Sequence, residues 1–125
     1  MTKKNLSSLA YEFSDQSEAM EFYYQQGWTE GLPVVSATPE RVQTFLDVIG
    51  MEPDTVVAVS TPRGRVATAE KVAINAVMAG CLPEYMPVVV AAIQAMATDD
   101  FNLHGSQAST GGSAPLLVVN GPIAS

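Results

Sequence analysis

The sequence predicts a two-layer α/β or α+β domain, with helices packed on a small sheet. Three observations point there. Four segments show helical apolar spacing with recognisable start and stop residues. Two short β-branched runs, "TVVAVS" and "PLLVV", read as strands. Apolar residues make up 47% of 125 positions and charged residues only 15%, which suits a real core and excludes a disordered chain.

Taken in order, residues 1–13 read as a flexible N-terminal arm ahead of a single domain over 14–125. In "SDQSEAMEFYYQQGW", Ser14 or Asp15 caps a helix with acids in its first turn, Ala19, Phe22 and Tyr23 recur on one face, and Gly27 ends it. "TEGLPVV" is a turn into a short extended piece. "ATPERVQTFLDVIG" is the clearest helix: Thr38 caps, Pro39 opens, Gly50 stops, and Val42, Phe45, Leu46 and Ile49 form the buried face.

"TVVAVS" is a strand from Thr55 to Ser60, and "TPRGRVAT" is a loop or one half of a hairpin. Thr68 caps "AEKVAINAVMAG", apolar nearly all round beyond its first turn and therefore buried on most sides. Pro83 and Pro87 compete to open the next helix through "VVVAAIQAMA". The start at Pro87 after a separate short turn is favoured, because a proline inside a first turn begun at Pro83 disturbs it. "TDDFNLHGSQASTGGS" reads as a polar loop, and Leu116–Val119 as a buried strand before a Gly-Pro turn. A central-type strand so near the last residue implies that another polypeptide, or a second half, completes the sheet.

Charge and cysteine usage narrow the function classes. Thirteen acids against six Lys and Arg give −7, and no basic stripe offsets it, so neither nucleic acid nor an anionic membrane surface is an expected partner. No signal-peptide pattern follows Lys3 and Lys4, and no apolar run approaches the ~18 residues of a membrane span. One cysteine fits a reducing compartment, with the cytoplasm as the default. A charged fraction this low suggests that apolar surface is buried against a partner.

Three segments, "GWTEGLPVV" (27–35), "EKVAINAVMAGCLPEYMPVVVAA" (70–92) and "FNLHGSQAST…APLLVVNGPIA" (101–124), resemble the amino-terminal part of a family of longer bacterial proteins of unassigned activity. The resemblance implies a second half beyond residues 120–124. It also implies association with small proteins bearing a Sec/Cys-Gly-Ser-Cys motif, hence thiol or selenol chemistry shared between subunits. The chain departs from that pattern at "STGG" (109–112), where the family has Thr-Thr and a different turn.

The residues suited to chemistry are few. Cys81 has two readings: a thiol activated by the amide end of a following helix, or a small apolar filler. His104, the single histidine, is the one imidazole available as acid or base, or else a turn residue bonded to backbone. Asp99 and Asp100 with His104 fall short of a coordination shell, and no metal site is assigned. Arg63 and Arg65, at a strand end, suit a carboxylate substrate or surface ion pairs. Asn75, in an apolar helix, needs a buried partner and points into a site or ties a loop. Ser109 and Thr110 lie in a Gly-rich loop that offers an anion nest or plain surface; it lacks the ending of a nucleotide P-loop.

The expectation is therefore one subunit of a cytoplasmic bacterial enzyme acting on a small, anionic substrate by thiol-dependent reduction or elimination, at a subunit interface. Cys81 serves as nucleophile or redox thiol and His104 as acid or base; no cofactor is assigned. Its rivals are a non-catalytic subunit that completes a partner's sheet, and a metal-dependent lyase or hydrolase using His104.

Overall fold

In the computed structural model, residues 5–60 and 64–124 are described. Among the described residues, five α-helices and one antiparallel hairpin make an α+β arrangement: α1 (Gln16–Gln25), α2 (Pro39–Ile49), β1 (Val56–Ser60), β2 (Arg65–Thr68), α3 (Ala69–Met78), α4 (Met86–Met96) and α5 (Leu103–Ala108). The expected start and stop residues act as expected. The Asp15 side chain accepts from the Glu18 N–H, Thr38 caps α2 from the Arg41 N–H, and Thr68 caps α3 from the Lys71 N–H. A 3₁₀ turn, Pro83–Tyr85, precedes α4, and Pro87 falls in the first turn of α4, where its missing N–H leaves no bond broken.

The core is helical. Val42, Phe45 and Leu46 of α2 meet Val72, Ala73, Ala76 and Val77 of α3, with Met86 and Val90 of α4 closing the far side. Ala69 and Ala73 are fully buried, so α3 presents small side chains that let its neighbours approach closely. The hairpin adds Val57. Strand register runs Ser60 to Arg65, Val59 to Val66 and Ala58 to Ala67, then skips one residue so that Val56 faces Thr68. That bulge at Val57 rotates its side chain into the core and leaves Val56 outside.

Two expectations are corrected. Leu116–Val119 is not a buried strand: the four residues belong to no strand among the described residues and are exposed, Leu116 at 86% and Val118 at 76%. A strand needs a neighbouring backbone to pair with and a layer to cover it, and among the described residues the hairpin takes no third strand. The polar loop after α4 is partly helical. Asn102, at φ 49°, caps α5 by accepting from the Gly105 N–H at 3.3 Å, and a Cβ at Gly105 would stand 2.5 Å from the Asn102 side chain.

Residues 5–13 carry no helix or strand but make specific contacts. Leu6 packs against the core, and Tyr11 and Phe13 join Phe22, Tyr23 and Trp28 in an aromatic cluster on α1.

Leu46 is 1% exposed at the centre of the α2–α3 contact, so Leu46→Ala is expected to cost about 2–5 kcal/mol of stability, read from chemical denaturation. A loss under about 1 kcal/mol would contradict this core.

Candidate functional site

Cys81 has a local explanation in the way the helices end. In α3 the Gly80 N–H donates to the Val77 carbonyl at 2.9 Å and the Cys81 N–H to the Ala76 carbonyl at 3.0 Å, with Gly80 left-handed at φ 78°. This paired closure satisfies the last carbonyls and sets the residue after the glycine against the helix. α2 ends the same way: Gly50 donates to Asp47, Met51 to Leu46. So does α1, with Gly27 donating to Tyr24 and Trp28 to Tyr23, where the Trp28 and Tyr23 rings stack at 5.8 Å. Three helices thus close on Gly-Trp, Gly-Met and Gly-Cys. Cys81 stands where Met51 and Trp28 stand, half-buried against the core cluster.

The thiol follows the carbonyl end of α3 and is separated from α4 by the 3₁₀ turn. His104 lies exposed on α5, beyond the other end of α4. Eleven residues of helix span ~16 Å, so the two groups flank α4 rather than meet.

The remaining candidates are dispersed. Arg65 is exposed at the start of β2, and Arg63 lies outside the described residues. Asn75 corrects its expectation: it is exposed, and its side-chain amide donates to the Lys71 carbonyl at 2.8 Å within α3. It satisfies itself on its own helix and needs no buried partner. Ser109 and Thr110 are exposed, and the Ser109 Oγ accepts from the Gly111 N–H at 3.1 Å, which engages one amide of the expected nest. Among the described residues no three His, Cys, Asp or Glu side chains are grouped to hold a metal.

A cleft of about 320 Å³ opens at the end of α2, lined by Gln43, Asp47, Gly50, Met51 and Glu52 among others. It holds none of the residues that the sequence marks as suited to chemistry.

Glu70 is the group that sequence reading passed over, taken as an ordinary first-turn acid. It is 2% exposed, and its carboxylate accepts from the Ser7 N–H at 3.0 and 3.1 Å, the Ser7 hydroxyl at 2.9 Å and the Ser8 N–H at 2.9 Å. Burial pushes its pKa up, but the bonds from Ser8 and Ser7 outweigh burial and hold it below the ordinary 4.5. No signal near Glu70 forecasts this, because the donors lie more than sixty residues earlier.

No family model, curated protein or solved structure matches the chain. No helix among the described residues is long and apolar enough to cross a membrane.

Two outcomes test this geometry. Gly80→Ala forces a Cβ into the left-handed region and is expected to cost about 1–2 kcal/mol, whereas Cys81→Ala, at a half-buried position, is expected to cost less, under about 1 kcal/mol, in urea denaturation. Because the folded pKa of Glu70 is depressed, its stabilisation is present above the unfolded carboxylate value and is lost as pH falls through the folded one. In an acid titration followed by circular dichroism, Glu70→Gln should therefore show a shallower loss of stability below about pH 4.5 than the parent; parallel curves would contradict the clamp.

Proposed function

We propose that the chain works as one subunit of a cytoplasmic bacterial assembly, its carboxy-terminal apolar segment covered by another protein subunit. The observation that carries this reading is Leu116–Val119: four consecutive branched apolar residues, all exposed and joined to no strand among the described residues. Such a segment left bare invites pairing with any free strand edge. The composition around it agrees. Residues 101–124 contain no Asp, Glu, Lys or Arg, although the chain carries thirteen acids elsewhere. Charged residues ordinarily guard an exposed apolar strand, and here none do. The partner's chemistry follows: an open strand edge for the backbone of 116–119, and an apolar face for its side chains. The resemblance to longer bacterial proteins with a second half supports the same reading.

A second reading makes this subunit catalytic, and the partial exposure of Cys81 favours keeping it. Cys81 then acts as nucleophile or redox thiol on a small anionic substrate, with His104 as acid or base and Arg63 or Arg65 as anion holder, some of these groups supplied across the interface. Alkylation by iodoacetamide across pH separates the two. A reaction midpoint well below the free-thiol range supports catalysis, and an ordinary midpoint leaves the assembly role alone.

For the assembly reading, sedimentation velocity of the isolated chain is expected to show concentration-dependent association. The double change Leu116→Ser, Val118→Ser should abolish it while leaving circular dichroism unchanged. A monodisperse, monomeric parent that binds no apolar dye would overturn the proposal.

A further inference from the structure

We propose that residues 5–28 form a strap that opens from the helical core as a unit, latched by the Glu70 carboxylate. Its apolar contacts are largely its own. The buried side chains of α1, Ala19 and Tyr23, lie outside the α2–α3–α4 cluster, and Tyr23 packs with Phe13, Phe22 and Trp28 instead. Contact between α1 and the other helices and strands is sparse. Phe13 to Phe22 at 5.2 Å and Tyr11 to Phe22 at 4.7 Å fold the arm back on α1, so arm and helix travel together.

On the core side the arm's long-range side-chain hydrogen bonds, among the described residues, gather on Glu70. Ser7 and Ser8 deliver four hydrogen bonds onto the two oxygens of Glu70, and Leu6 lies beside them against the core. The latch is all-or-none in character. Glu70 is buried with the arm in place, and removing the donors would leave a buried carboxylate without partners. Release therefore frees the whole arm and exposes the first turn of α3.

A hinge stands where the strap ends. Gly31 adopts φ 103°, followed by the exposed Leu32, and the Val35 N–H donates to the Met78 carbonyl at 3.2 Å, which anchors the chain to the core from there on. Segments that share few buried contacts with the core open at lower free energy than the core they lean on.

Trp28, the chain's one tryptophan, sits inside the strap's aromatic cluster and reports on it directly. In urea titrations the parent is expected to show the Trp28 emission change at lower urea than the loss of helical circular dichroism. Glu70→Gln should raise the opening constant of that first step roughly tenfold and leave the second step in place. Ser7→Ala, a surface change with no folding hazard, should move the first step in the same direction by less. Coincident emission and dichroism transitions in the parent, or variants that shift both signals equally, would overturn the strap.

Discussion

Everything else in this fold depends on how closely α3 is approached by α2 and α4. Ala69, Ala73 and Ala76 provide a surface without bulk, on which Val42, Phe45 and Leu46 press from one side and Met86 and Val90 from another. Small side chains at a helix contact gain dispersion energy from short separations, and leave little room for repacking. The hairpin is secondary to this: two strands alone are marginal in water, and these are held because Val57 turns inward at its bulge.

Among the described residues, the groups suited to chemistry are half-buried or exposed rather than part of that core. Cys81 closes α3, His104 rides the short α5 beyond α4, Arg65 opens β2, and Asn75 is bonded to its own helix. The recurrent Gly-Trp, Gly-Met and Gly-Cys closures explain why a lone cysteine stands where it does without any appeal to reactivity. Glu70 joins the arm to the core by charge-assisted bonds, the strongest kind available to two serines.

Local signals were legible and long-range ones were not. Thr38, Pro39 and Gly50 bound α2 because caps and terminators act within a turn of themselves, and the buried face over Val42, Phe45 and Leu46 followed from spacing alone. The glycine closures were equally open to reading, since each pairs a left-handed glycine with the apolar residue after it. Leu116–Val119 misled for the opposite reason: composition records β propensity, while pairing depends on a neighbour that lies elsewhere. Ser7 and Glu70 are 63 residues apart, and nothing local marks an exposed-looking acid as buried. His104 was assigned to a loop because Asn102, at φ 49°, starts a helix of only six residues, too short for periodicity to register.

Native-state amide exchange is the most direct test of the central claim that α3 is the stable centre. The account predicts that the amides of Val72, Ala73, Ala76 and Val77 exchange slowest in the molecule, at the rate set by global unfolding. If those amides exchange as fast as the amides of α1, the core does not rest on α3 and the account fails.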